Sequence, residues 1–227
     1  MYAKYIKRPL DFCLALCAII FLFPILLVLT VVGAVAMKGN PFFTQLRPGK
    51  NEKIFRLIKF RTMTCEKDAQ GKLLPDEKRL TGYGRFLRST SLDELPELIN
   101  ILKGDMAVIG PRPQLVRDMV FMTPRERARH TVRPGLSGLA QVNGRNAIMW
   151  SAKLQYDLEY IENITFLGDI SLIFQTFFKV FKREGISEEG MDTGEDLGDY
   201  LLRIGTVNEK QYEILQQEAK ELIGKVV

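Results

Sequence analysis

The sequence predicts an α/β protein, mostly helical with a small β-hairpin, that enters a membrane through its N-terminal segment. Residues 12–37 carry no charge and are almost entirely apolar. Residues 41–63 contain short apolar runs broken by Pro48–Gly49 and Lys50–Asn51, a pattern typical of a β-hairpin. Most of the remaining apolar residues recur at helical spacing, so helices are expected to outnumber strands.

Charge and composition divide the chain of 227 residues into three parts. We expect a membrane helix over 1–40, a main domain over 41–184 and an acidic helical appendage over 185–227. Residues 186–227 hold ten acids against four bases, a net charge of −6, so the rest carries +11 of the total of +5. The high positive charge of residues 1–185 predicts binding to phosphate groups in nucleic acid, anionic lipid or a phosphorylated substrate.

Cysteine and histidine content excludes two common kinds of site. Of the three cysteines, Cys13 and Cys17 lie in the apolar run, so a disulfide framework is not expected and a reducing cytoplasm suits the chain. His130 is the only histidine, which argues against a zinc site. Any metal should be a hard cation bound by oxygen.

The apolar run from Phe12 to Met37 is long enough to cross a bilayer. As one helix it would measure about 39 Å, against a hydrocarbon core of about 30 Å. Pro24 lies at its middle and predicts a kink near Phe23–Pro24. The flanking basic residues are Lys4, Lys7 and Arg8 before the run and Lys38, Arg47, Lys50 and Lys53 after it. This pattern allows either a re-entrant segment that returns to the same face or a kinked single-pass anchor.

The main domain should contain several further elements. Residues 81–102 have a helical pattern interrupted near Ser91, and residues 105–113 predict a short strand and a turn that holds Arg112 between Pro111 and Pro113. Residues 131–146 are rich in glycine, and 150–163 predict an amphipathic helix.

Two further segments have open interpretations. Residues 164–183 place aromatic and aliphatic side chains largely on one side of a helix with a basic end, typical of an amphipathic helix at a membrane interface, or else of a core helix. The appendage predicts two helices around Gly205 with Asn208 as a cap, and resembles the small helical modules at the front of type II secretion ATPases. Two roles remain open for the appendage, a regulatory one and a dimerising one that would make the protein a homodimer.

The acidic pair Asp93–Glu94 precedes Pro96, which is accepted only near a helix start. Both carboxylates should therefore lie at a helix N-terminus. One interpretation is structural, because acids oppose the helix dipole there and Ser91 with Glu94 has capping-box spacing. The other is catalytic: Asp93 would attack phosphorus, and the pair would bind Mg²⁺ at a diphosphate.

Six basic residues near fixed turns favour the catalytic interpretation, because guanidinium groups match phosphate geometry. They are Lys59, Arg61, Arg88, Arg112, Arg133 and Arg145.

At this point the chain resembles the bacterial sugar transferase family, the monotopic phosphoglycosyl transferases, and especially its small members. The matching segments are residues 7–11 (KRPLD), the proline-broken apolar run, residues 59–63 (KFRTM), 91–98 (SLDELPEL), 110–113 (GPRP), 133–138 (RPGLSG) and 144–145 (GR). Together they extend over about residues 4–183. Phe23 departs from the serine that many small members have before the proline.

The resemblance implies a re-entrant membrane helix in the bacterial inner membrane, with the main domain on the cytoplasmic face. It also implies a two-step exchange. Asp93 would attack the β-phosphate of a UDP-sugar and release UMP, and undecaprenyl phosphate would then accept the phosphosugar, a first membrane step of polysaccharide or glycoprotein synthesis. Glu94 would help to bind Mg²⁺.

The resemblance also assigns roles to individual residues. Arg112, Arg133 and Arg145 would contact the nucleotide diphosphate, Lys59 and Arg61 would support the acidic pair, and Arg88 would face the lipid phosphate. Asp169 would match a family acid near the site.

Two other functions remain open. A membrane-anchored protein could bind anionic lipid or nucleic acid without catalysis, although the chain lacks the aromatic and recognition-helix patterns of nucleic-acid binding, so no nucleic-acid partner is expected. A direct lipid glycosyltransferase would release UDP instead of UMP.

Overall fold

A computed structural model describes residues 1–144, 148–182 and 195–226, apart from the side chain of Phe181. A π-helical turn at Tyr2–Ile6 leads into helix α1 (Lys7–Ala36). Strands β1 (Phe42–Pro48) and β2 (Ile54–Phe60) then form the predicted antiparallel hairpin, in which Phe42 pairs with Phe60 and Pro48 with Ile54. A 3₁₀ turn at Lys50–Glu52 joins them.

Ten shorter helices complete the described chain. They are α2 (Asp76–Arg79), α3 (Gly82–Thr90), α4 (Glu97–Lys103), α5 (Val116–Met119), α6 (Pro124–Arg127), α7 (Leu139–Val142), α8 (Trp150–Glu162), α9 (Phe166–Phe181), α10 (Leu197–Arg203) and α11 (Glu209–Gly224). Two 3₁₀ turns, Leu92–Glu94 and Ala128–Thr131, lie between them. The mostly helical class with a small hairpin is therefore confirmed.

The short strand predicted within residues 105–113 is present, but its parallel partner strand was not predicted. Strand β3 (Ala107–Ile109) pairs with β4 (Gly135–Ser137), and β4 lies inside the glycine-rich segment. The glycines there let two backbones approach closely: a Cβ on Gly135 would lie 2.1 Å from the Gly110 amide nitrogen, and one on Gly138 the same distance from the Gly110 carbonyl oxygen. The sequence signal of a strand is hidden because glycine has no side chain to show alternation.

Helix α1 continues through Pro24 as one helix. Proline removes only one amide donor, so hydrogen bonds on either side can maintain the helix. The helical stretch Tyr2–Ala36 is long and apolar enough to cross a membrane by length and composition. Much of its apolar surface is uncovered, with Phe21 and Val35 more than 70% exposed.

Both halves of α1 nevertheless contact the main domain. Ala15 is buried in a core cluster with side chains of β2 and α4, including Phe55 and Ile101. Leu29 is buried with Phe60 of β2 and Leu87 of α3. The long helix thus lies along the same domain that holds the acidic pair.

Helix α9 has an uncovered aromatic face. Phe174, Phe177 and Phe178 are each at least 60% exposed, whereas Leu172 on the opposite side is buried. The core-helix interpretation therefore fits only one side of α9, and the exposed side suits a membrane interface.

Candidate active site

The acidic pair lies in a tight reversal between two helices. Helix α3 ends at Ser91, whose φ of 55° is left-handed, and the 3₁₀ turn Leu92–Glu94 follows at once. Pro96 then occupies the N-cap position of α4. The pair therefore lies on its own turn ahead of α4, slightly before the predicted start of that helix, and α4 projects away from it.

Glu94 is bound by two cations and does not serve as a helix cap. The Ser91 side chain makes no capping hydrogen bond, so the capping box suggested by the spacing is not formed. Instead, Lys59 Nζ and Arg112 Nη2 each donate to Glu94 Oε1 at 2.7 Å. Strand β2 supplies the lysine, and the turn after β3 supplies the arginine.

Glu97 is a third carboxylate in this cluster, and the sequence analysis did not single it out. Its side chain is almost fully buried, and its Oε1 lies 3.1 Å from Lys59 Nζ. Burial, together with the charge of Glu94, raises the pKa of Glu97 to about 7 despite the opposing effect of Lys59. A glutamate in the first turn of a helix resembles an ordinary dipole-stabilising residue, so no local pattern distinguishes Glu97 as part of a site.

Asp93 has a different environment. The described residues provide no hydrogen-bond or ion-pair partner for its carboxylate. Burial and the adjacent Glu94 raise the pKa of Asp93 to about 6, with opposing contributions from Lys59, Arg112 and Arg88. Burial also acts on Glu94, but Arg112 and Lys59 outweigh it and hold the pKa of Glu94 well below its usual range. Among the described residues, the turn therefore presents an unpaired Asp93 carboxylate, ionised at neutral pH, beside a Glu94 carboxylate that is paired with Lys59 and Arg112.

The remaining basic candidates occupy different positions. Arg88 on α3 donates from Nε to Thr62 Oγ1 at 3.1 Å, and its charge acts on Asp93. The Arg61 guanidinium lies 3.5 Å from the Cys65 sulfur.

Arg133 lies at the far end of α4, where its Nε donates to the Gly104 carbonyl oxygen at 2.8 Å. Helix α4 is about 10 Å long, so this contact is well removed from Asp93. Arg145 lies outside the described residues.

Asp169 joins the N-terminal segment to α8 and α9. Its Oδ2 accepts hydrogen bonds from Lys7 Nζ at 2.6 Å and from the Tyr2 hydroxyl at 2.7 Å, and its Oδ1 accepts one from the Tyr160 hydroxyl at 2.9 Å. The Asp169 carboxylate is buried, and both of its oxygens accept hydrogen bonds. These contacts indicate a structural role in holding α1 in place.

Comparison with known proteins shows what the chain is similar to. The family model for bacterial sugar transferases matches residues 2–183. A Bacillus subtilis (strain 168) relative, uncharacterized sugar transferase EpsL, is 47% identical over 171 residues, which are 74% of this chain and 85% of the relative.

Two larger relatives have names that state a reaction. The UDP-glucose:undecaprenyl-phosphate glucose-1-phosphate transferase of Klebsiella pneumoniae is 37% identical over 77% of this chain and 40% of its own length. The UDP-N-acetylgalactosamine-undecaprenyl-phosphate N-acetylgalactosaminephosphotransferase of Aeromonas hydrophila is 36% identical over 76% of this chain and 43% of its own length. The chain thus spans less than half the length of these two. With a family match over most of its residues, the chain belongs to the bacterial sugar transferases, a family of enzymes.

Proposed function

We propose that the chain transfers a sugar-1-phosphate from a UDP-sugar to undecaprenyl phosphate, and releases UMP. The observation that carries this proposal is the contrast within the acidic pair. Asp93 is ionised and unpaired among the described residues, while Lys59 and Arg112 bind its neighbour Glu94. The names of the two larger relatives support the same donors and acceptor.

In the first step, a carboxylate oxygen of Asp93 attacks the β-phosphorus of the UDP-sugar. A bond forms between that oxygen and phosphorus, the bond from phosphorus to the bridging oxygen breaks, and UMP leaves with that oxygen. The sugar phosphate is then linked to Asp93 as an acyl phosphate. An ionised carboxylate is required for this attack, and the raised pKa of Asp93 still leaves it mostly ionised at neutral pH.

In the second step, a phosphate oxygen of undecaprenyl phosphate attacks the same phosphorus. The bond to Asp93 breaks and the carboxylate is regenerated, giving undecaprenyl-diphosphate-sugar. Two successive displacements at one carboxylate let the water-soluble donor and the lipid acceptor use the same site in turn.

Asp93 and Glu94 would hold Mg²⁺. Both cations that contact Glu94 bind its Oε1. Among the described residues, Glu94 Oε2 and the Asp93 carboxylate therefore have no hydrogen-bond partner. Mg²⁺ commonly binds one or two carboxylates together with substrate phosphates and water, so this oxygen set fits it. The ion would neutralise charge on the diphosphate.

Arg112 is the best-placed cation for the donor diphosphate. One of its nitrogens, Nη2, bonds Glu94, and its side chain remains 41% exposed. Its other N–H groups have no partner within the described chain, and a guanidinium presents them in a plane that suits phosphate oxygens. Arg88, whose charge acts on Asp93, is proposed to face the lipid phosphate.

The packing of α1 supports a re-entrant membrane segment. Ala15 and Leu29, on either side of Pro24, are both buried against the main domain. The Tyr83 hydroxyl also donates to the Leu29 carbonyl oxygen at 2.8 Å. A helix held along a basic domain in both halves would dip into the cytoplasmic leaflet, with its uncovered face in lipid.

The test is incubation of the purified enzyme with UDP-sugars and Mg²⁺, first without any acceptor. The two-step reaction predicts about one UMP per enzyme, and a phosphosugar adduct on Asp93 detected by intact-mass and peptide mass spectrometry. Undecaprenyl phosphate should then remove the adduct and restore turnover. Release of UDP would indicate direct glycosyl transfer, and absence of any nucleotide release across a broad donor panel would favour a binding protein.

A further inference from the structure

The turn Gly110–Pro113 carries Arg112, and two other arginines hold its backbone. Arg129 Nη2 donates to the Arg112 carbonyl oxygen at 2.5 Å, and Arg47 Nη1 donates to the Pro113 carbonyl oxygen at 3.1 Å. Pro111 and Pro113 have no amide hydrogen, so the turn has few donors of its own with which to fix its carbonyls. The Gly135 amide also donates to the Pro111 carbonyl oxygen at 2.9 Å, so the two arginines hold the Arg112 and Pro113 carbonyls in addition to this backbone contact.

Asp157 orients Arg129. Asp157 Oδ2 accepts a hydrogen bond from Arg129 Nε at 2.9 Å and lies 2.7 Å from Nη2. Both side chains are at most 2% exposed, which makes them a fully buried ion pair between the 3₁₀ turn Ala128–Thr131 and α8. The same Nη2 nitrogen that contacts Asp157 also reaches the carbonyl of Arg112.

Stability alone does not account for a buried pair of this kind. Desolvation of two charges offsets much of their attraction, and well-packed apolar residues often stabilise a fold equally well. A planar guanidinium has another advantage, because it directs several N–H groups at fixed angles. Here it connects α8 to the backbone of the residue that binds Glu94.

We propose that Arg129 and Asp157 are positioning residues for sugar-phosphate transfer. Asp157 orients Arg129, and Arg129 holds the Arg112 backbone so that the Arg112 guanidinium reaches Glu94 and presents its remaining N–H groups to the donor diphosphate. Neither residue contacts the substrate or Asp93 in this scheme. The inference rests on the proposed function, and it adds two residues outside the site predicted from sequence.

The first variant to compare is Arg129→Lys. Lysine keeps a positive charge beside Asp157. A single ammonium group, however, cannot contact both Asp157 and the Arg112 carbonyl oxygen in the way that the planar guanidinium does. A small displacement of Arg112 should lower the rate of donor-dependent UMP release about tenfold to a hundredfold. The KM for undecaprenyl phosphate should stay within about twofold, because the acceptor does not depend on Arg112 in this scheme.

A double-mutant cycle with Arg112→Gln separates positioning from a general structural effect. If Arg129 acts through Arg112, adding Arg129→Lys to Arg112→Gln should change the remaining rate by less than about twofold. A structural effect would lower the rate by the same factor in both backgrounds. That additive result would overturn the proposal.

Arg127→Gln is the matched control. Arg127 lies two residues from Arg129 and makes a bidentate pair with Glu52 at 2.7 and 2.6 Å, with no described contact to the turn 110–113. Its turnover should stay within about twofold of the parent enzyme. A loss equal to that of Arg129→Lys would also count against the proposal.

Thermal unfolding of each variant in detergent or nanodiscs shows whether the variant folds, and only a folded variant is used in the cycle. Asp157→Asn keeps the shape of the pair and replaces Arg129→Lys in the cycle if the latter does not fold. Loss of folding in both variants would make the pair a structural element and overturn the positioning role. An inactive parent enzyme would overturn the proposed function as well, whereas an active parent with unaffected variants would overturn this inference alone.

Discussion

At the scale of single residues, Asp93 and Glu94 are neighbours in the chain but have opposite properties. The charge of Glu94 is satisfied by Lys59 and Arg112, whereas Asp93 lacks a described partner and is repelled by Glu94. The pKa values of the two carboxyls therefore move apart, a common feature of catalytic pairs. The difference supports the proposal that Asp93 is the nucleophile.

Asp93→Asn should abolish UMP release, because an amide oxygen cannot form the acyl phosphate. The melting temperature should stay the same or rise, since the substitution removes a partly buried charge next to Glu94. Single-turnover UMP release and thermal unfolding check the two parts. Near-normal turnover by the variant would remove the nucleophile assignment, and Asp68→Asn, in an exposed loop, controls for loss of a carboxylate elsewhere.

The first step should also depend on pH. Since burial and Glu94 raise the pKa of Asp93 to about 6, the ionised form dominates above that pH and is lost as the pH falls through it. Single-turnover UMP release should therefore decrease about tenfold per pH unit well below pH 6. A rate that stays constant down to pH 5 would contradict the raised pKa.

At the scale of elements, contacts between α1 and α4 hold the long apolar helix against the helix that follows the acidic pair. Arg8 of α1 donates from Nη1 to the Ile101 carbonyl oxygen at 2.6 Å and from Nη2 to that of Leu102 at 2.9 Å. Cations at this end of a helix are favoured by its dipole. Helix α1 therefore binds the C-terminal end of α4 through Arg8. The acidic pair lies before the N-terminal end of α4.

Cysteine labelling should place the two ends of α1 on one side of the membrane. After replacement of Cys13, Cys17 and Cys65 by serine, single cysteines at Lys4 and Asn40 are expected to react with an impermeant maleimide only from the cytoplasmic side. The physical reason is the packing of both halves of α1 on one domain. Labelling of the two positions from opposite sides would show a spanning helix.

At the scale of the whole molecule, the acidic appendage shares a hydrophobic core with the main domain. Leu197 and Ala219 are buried together with Phe121, Trp150 and other side chains of the main domain. Asp118 Oδ1 also accepts a hydrogen bond from the Leu197 amide at 3.0 Å. Although the family match ends at residue 183, helices α10 and α11 therefore contribute to the fold.

Leu197→Ala should destabilise the whole protein. Truncation of a buried leucine costs about 2–5 kcal/mol, and each kcal/mol lowers the melting temperature by about 2–4 °C in a protein of this size. Ile214→Ala on the exposed side of α11 is the control, because Ile214 is 59% exposed and should change stability by less than about 0.5 kcal/mol. Equal melting temperatures for both variants would show that the appendage unfolds independently.

The sequence by itself determined most of the local elements and singled out the acidic pair as a candidate site. Proline restricts backbone torsions, glycine permits torsions that other residues rarely adopt, and apolar spacing records which face is covered. The hairpin, the break near Ser91, the turn around Arg112 and the helices flanking Gly205 could therefore all be predicted. The resemblance in SLDELPEL and its companion motifs indicated the family.

Only the tertiary structure decided which charges meet. Lys59, Glu97 and Arg112 are separated along the chain, and whether an arginine reaches a carboxylate or caps a helix depends on how strands and helices pack. Arg112 reaches Glu94, while Arg133 binds the Gly104 carbonyl oxygen just after α4. The parallel pairing of β3 with β4 and the buried Arg129–Asp157 pair likewise leave no local pattern, because both are contacts between distant segments.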